Sequence, residues 1–248
     1  MSKYHSLSIV AVALLIIFIV QPTGGVEPKG ASPNSIDGLV EAALEAHGGK
    51  KSLQAVQALK VSGRLKSVLR RDQGTSTIYF QNPDKLYSDI TFKGSREVRI
   101  LNGSKGWINT GGTFESAQPG VMLGMSYSLI TYRLPLELAT RHGDLVHLGQ
   151  VEQGGTRFDV LELTYSEAIK VRVFLESESK RIAQVAGYIN VGGQTVILSR
   201  VLDDYRKVAG LAYPFHQRYY SGRTLIAEKW VEDVEANPSL PEGLFAPE

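Results

Sequence analysis

The chain has 248 residues, 43% of them hydrophobic and 21% charged, which suits one domain with a substantial buried core. A formal charge of +2, with no basic patch interleaved with aromatics, gives nucleic acid no electrostatic footing as a partner. Cysteine is absent, which excludes disulfides, thiolate metal sites, cysteine nucleophiles and a lipoprotein anchor at Cys.

Lys3 and His5 precede an apolar run from Leu7 to Val20 that only Ser8 interrupts, and Gln21-Pro22-Thr23-Gly24-Gly25 follows. The run is shorter than the roughly 20 residues of a membrane span, and Thr23 and Gly25 place small residues before a cut at Val26. Residues 1–25 therefore read as a cleavable export signal, with an uncleaved N-terminal anchor as the alternative. Residues 26–34 read as a Pro/Gly/Ser linker and 35–248 as the domain. Without residues 1–25 the chain loses only Lys3 among its charges, leaving 26 basic against 25 acidic residues.

Ser35 is a plausible N-cap for a helix in which Ile36, Leu39, Val40, Ala43, Leu44 and His47 recur at helical spacing, until Gly48-Gly49 stops it. A second helical turn is expected over 52–57. Beyond it the period is two. Val61, Gly63 and Leu65 alternate with polar residues, as do Ile78 with Phe80, Leu86 with Ile90 and Phe92, and Val98 with Ile100 against Glu97 and Arg99. Asn82-Pro83-Asp84, Lys93-Gly94-Ser95, Asn102-Gly103-Ser104 and Gly111-Gly112 fall at hairpin intervals, too close for crossover helices. Strands over 158–165, 170–176, 182–191, 195–205, 212–220 and 225–234 repeat the scheme before a Pro-rich tail, with a bend expected at Tyr213-Pro214-Phe215. The fold class is therefore mainly β with some helix, the strands antiparallel.

One stretch breaks the alternation. From Gly120 to Leu138 no charge appears before Arg133, and Val121, Met122, Met125, Tyr127, Leu129, Ile130 and Tyr132 spread over more than one helical face. Pro119 and Pro135 bracket it and argue against a membrane span. Apart from Met1, Met122 and Met125 are the chain's methionines, and methionine adapts to irregular apolar surfaces. The stretch reads either as a cover over an apolar cavity or as a core helix packed on the sheet. Candidate cavity and cover residues are Met122, Met125, Leu129, Tyr132, Ile78, Phe80, Ile90, Phe92, Trp107 and Val173.

Catalysis finds no players in the sequence. No G-x-S-x-G elbow occurs, Gly49-Lys50-Lys51-Ser52 lacks the glycine spacing of a phosphate loop, and adjacent Asp203 and Asp204 would point to opposite faces of a strand. No His or carboxylate set stands at metal-ligand spacing. No enzyme activity, cofactor or metal is expected.

Three stretches carry a family resemblance: EAHGGKKSLQAVQALKVSGRL from Glu45, DDYRKVAGLAYPFHQRYYSG from Asp203 and VEANPSLPEGLFAPE from Val234. Together they make the chain similar to the periplasmic lipoprotein carriers typified by LolA and LolB, the outer-membrane lipoprotein-sorting-like proteins. That resemblance implies one strongly curved antiparallel sheet, an unclosed half-barrel whose concave face is covered by helices. It further implies a monomeric periplasmic binder of lipid or lipoprotein acyl chains, peripheral to the membrane, with an envelope protein as donor or acceptor. Proteins of similar shape that act as envelope sensors or assembly factors supply the alternative.

Overall fold

The computed structural model describes residues 35–247. The expected export signal and linker lie outside the described residues. Helix α1 (Ile36–Ala46) starts where Ser35 Oγ accepts the Gly38 N–H, as its capping chemistry predicts, and it buries Leu39, Val40, Ala43 and Leu44. The short helix α2 (Lys50–Ala55) begins two residues earlier than its sequence suggests, directly on Gly49.

Among the described residues thirteen strands form one antiparallel sheet. Six run outward from its middle as consecutive hairpins: β1 (Ala58–Ser67), β2 (Asp72–Gln81), β3 (Lys85–Phe92), β4 (Ser95–Asn102), β5 (Lys105–Asn109) and β6 (Glu115–Ser116). Seven more run back from the opposite edge: β7 (Leu145–Gln153), β8 (Thr156–Ser166), β9 (Ile169–Glu176), β10 (Ile182–Val191), β11 (Gln194–Val208), β12 (Leu211–Ser221) and β13 (Thr224–Ala236). The last of these pairs with β1, so the two runs join in the middle and leave β6 and β7 as free edges. The sheet is an open half-barrel.

This topology fixes where the remaining helices go. Chain leaving β6 must reach β7 at the far edge, and it crosses the concave face on the way as α3 (Pro119–Arg133) and α4 (Leu136–Thr140). α3 is buried on two sides. Tyr127 and Ile130 pack with Leu161, Leu163, Val171, Val173 and Val185 of the later strands, whereas Met125, Leu129 and Tyr132 pack with Leu59, Val61, Phe80 and Val231 of the central ones. The many-sided apolar pattern of this segment follows from that double contact.

The opposite, convex face carries a separate apolar cluster. The tail after β13 folds over it, so that Phe245 packs on Val98 and Ile100, and Asn102 Nδ2 donates to the Phe245 carbonyl at 3.2 Å. The expected bend at Pro214 is instead an interior position of β12. It lies opposite Tyr205, and β13 pairs with β12 only from His216 onward, so Pro214 falls where one neighbour alone needs strand hydrogen bonds.

Candidate functional site: the covered concave face

The alternation of side chains along each strand sorts the candidate residues between faces. Met125, Leu129, Tyr132 and Phe80 lie in the cluster beneath α3, with Met122 and Ile78 packed against it. Val173 is fully buried in the neighbouring cluster under the same helix. Ile90 and Phe92 share the concave face farther along β3, where the Arg70 guanidinium lies 5.5 Å from the Phe92 ring centre. Trp107 is the exception. It pairs with Ile100 and packs beside Tyr79, Tyr87 and Phe114 on the convex face, away from the other nine, because its neighbour Gly106 occupies the concave position.

Two glycines let α3 sit this close. A Cβ at Gly106 would overlap Met122 Sδ, and one at Gly187 would stand 2.6 Å from the Tyr127 ring carbons. Tyr127 is held by the bond that its hydroxyl donates to the Val185 carbonyl at 3.1 Å, so it has little room to move aside. Gly187→Val is therefore expected to cost about 1–3 kcal/mol in a urea titration, with α3 lifted and increased binding of a hydrophobic dye.

In this conformation the cover leaves little space. A cavity of about 80 Å³ remains where α3 and α4 meet the sheet, lined by His47, Leu53, Tyr132, Arg200, Tyr213 and Gln217 among others. Drug-sized ligands occupy pockets of roughly 300–1,000 Å³, so an acyl chain requires side chains of the cover to withdraw.

Polar groups on this face were not singled out by the sequence reasoning. Arg200 on β11 stands directly opposite Tyr219 on β12, and Gln217 on β12 directly opposite Lys229 on β13. Arg200 is 7% exposed, Gln217 1% and Lys229 1%. The Arg200 guanidinium lies 4.8 Å from the Tyr219 ring centre and 5.4 Å from that of Tyr132, a cation held between two π faces. The Tyr219 hydroxyl donates to Gln217 Oε1 at 2.8 Å. Among the described residues, the charge that acts on Lys229 is that of Arg200, of its own sign. Burial, reinforced by Arg200, pushes its ammonium down to about 7. A signal for this cluster exists in the sequence: Arg200 shares the parity of Leu198 and Leu202, and Lys229 that of Ala227 and Val231.

Elsewhere on the concave face Glu97 and Arg99 of β4 form a buried ion pair at 2.7 Å. His47, at the end of α1, accepts the Ile182 N–H at Nε2 (3.4 Å) and hydrogen-bonds the Ala43 carbonyl through Nδ1 (2.7 Å), and burial lowers its pKa. Among the described residues no group of three His, Asp or Glu side chains could hold a metal ion, and no helix is long and apolar enough to cross a membrane.

No protein-family model matches this chain, and no curated protein sequence matches it. Solved structures do. A DUF1329 family protein from Desulfovibrio piger superposes with a TM-score of 0.56 at 10% identity, covering 85% of this chain and 96% of that one. A LolA superfamily protein from Nitrosomonas europaea gives 0.55 at 14% identity over 86% and 98% of the two chains. A putative outer membrane lipoprotein-sorting protein domain from Vibrio parahaemolyticus gives 0.51 at 14% identity over 84% and 97%. At these identities the likeness is one of architecture: an open antiparallel sheet wrapped around a helical cover, which is the LolA-like fold.

Proposed function

We propose that this protein is a periplasmic carrier for lipids or lipid-modified proteins, holding acyl chains between the concave face and α3 and catalysing no reaction. The observation that carries this reading is the covering of a largely apolar face by a segment strung between the two edge strands of the sheet. Such a segment can withdraw without unpairing a strand. The structural likeness to a putative lipoprotein-sorting domain supports the choice of cargo.

The energetics suit exchange rather than permanent binding. Each buried methylene contributes about 0.8 kcal/mol, so an acyl chain gains strongly by entering. Met125 and Leu129 already occupy the surface it would use, and the ligand must displace them. Net affinity is the difference between two apolar packings, which leaves release within reach.

Purification from periplasm without detergent, followed by mass spectrometry of the intact protein and of its organic extract, tests the reading. Stoichiometric lipid or acylated peptide is the expected result. A lipid-free protein that retains a single protein partner would overturn the carrier reading in favour of an envelope sensor or assembly factor.

A further inference from the structure

Beneath α3, three hydrogen-bond donors lie buried with no acceptor among the described residues: Arg200 Nε, Lys229 Nζ and the Tyr132 hydroxyl. They belong to one neighbourhood. Tyr132 lies beside the Arg200 guanidinium, the Arg200 charge reaches Lys229, and Gln217 links the two strands by standing opposite Lys229 while lining the same cavity as Arg200 and Tyr132. Among the described residues no carboxylate pairs with either cation. Native structures leave few buried polar atoms unsatisfied, and an unmatched buried cation is among the costliest of them.

The tyrosine rings around Arg200 account for part of its burial but do nothing for Lys229. Water could accept from the orphaned donors, yet it carries no charge to offset two cations. A ligand that only accepts and is negatively charged meets both needs. The cavity of about 80 Å³ that Arg200, Tyr132 and Gln217 line has room for a group of a few heavy atoms. Lys229, on the strand beyond Gln217, stands outside that lining and must reach past Gln217 to it.

We propose that Arg200, Lys229 and Tyr132 form a binding site for one anionic group, a carboxylate or a phosphate, at the floor of the concave face. Resting on the carrier reading, this makes the group the head of the acyl ligand and the cargo an acidic lipid rather than a neutral one. Arg200 offers a planar fork and Lys229 a movable point charge, a combination that grips an oxyanion from two strands at once. Tyr132 comes from the cover itself, so an anion bound here ties the cover to the sheet through its hydroxyl.

The test compares palmitate, hexadecanol and inorganic phosphate as probes, using the exported protein freed of bound lipid, its Lys229→Met variant and the charge-preserving Lys229→Arg variant. Palmitate is expected to bind at least about tenfold more tightly than hexadecanol, the difference vanishing in Lys229→Met and persisting in Lys229→Arg. Equal affinity of the natural chain for the acid and the alcohol overturns the anion site and leaves the carrier reading standing. If neither chain-bearing probe binds, the carrier reading falls and phosphate decides. A rise in melting temperature with phosphate, absent in Lys229→Met, keeps the site as one for a soluble anion, and no rise overturns it.

Discussion

Lys229→Met is expected to stabilise the unliganded protein by about 2–4 kcal/mol at neutral pH, because methionine keeps the apolar stem and removes a charge that burial penalises. The lysine is 1% exposed, and its pKa falls from 10.5 to about 7. Between those two values the unfolded chain holds a proton that the folded chain has released. Stability therefore rises with pH across this window, and below it the full cost of charging a buried ammonium is present. Urea titrations of the natural and variant chains should differ most at about pH 6 and converge only above about pH 11, once the unfolded lysine has lost its proton as well. Taking the difference between the two chains cancels every other group that titrates over the range. A constant difference across pH would mean that water reaches Lys229 and that its charge is not buried.

A chain that would be more stable without one of its lysines retains that lysine against the gradient of stability, a pattern typical of binding sites. The same substitution that gains stability is expected to lose the preference for an acidic ligand. The two measurements thus describe opposite sides of one trade.

Most elements were legible because each obeys a local rule, although the edge strands β6 and β7 were not foreseen. Ser35 caps, Gly48-Gly49 stops, and the Asn-Gly and Gly-Gly turns mark hairpins whose strands lie within two or three residues of where alternation places them. What alternation cannot supply is which parity faces the concave side. On β4 the apolar residues Val98 and Ile100 are convex, buried under a tail that arrives about 145 residues later, while polar Glu97 and Arg99 take the concave positions as a pair. Trp107 follows the same inversion on β5. The covering segment was visible as an uncharged run. Its path across the sheet was not, because that depends on β1 pairing with β13, a contact set by the whole chain rather than by any window. Lys229 and Arg200 were hidden in plain alternation: a charged residue at an apolar parity reads as a register slip until the opposite strands are known.

The corner between α3 and α4 is where the cover is anchored, and Arg133→Ala is expected to loosen it at a cost of about 3–5 kcal/mol at neutral pH. Glu137 at the start of α4 is 2% exposed, and its Oε2 sits 2.8 Å from Arg133 Nη2 on the last turn of α3. Burial raises the Glu137 carboxyl above its ordinary 4.5, and Arg133 and Arg141 oppose that rise. Removing Arg133 deletes one of the two opposing charges, so the carboxyl moves higher still. A carboxyl whose folded pKa exceeds its unfolded value favours folding at low pH and loses that contribution as pH climbs through the folded pKa. The Arg133→Ala defect should accordingly be largest at neutral and alkaline pH and shrink towards about pH 4. Adding Glu137→Gln should recover most of the loss at neutral pH, since it removes the stranded charge rather than its partner. If the defect instead stays the same at every pH and in the double variant, packing of the arginine stem rather than its charge holds the corner. Where the charge account holds, the loosened corner should also speed exchange of a bound acyl probe, since the helix that must withdraw is the one that Glu137 ties down.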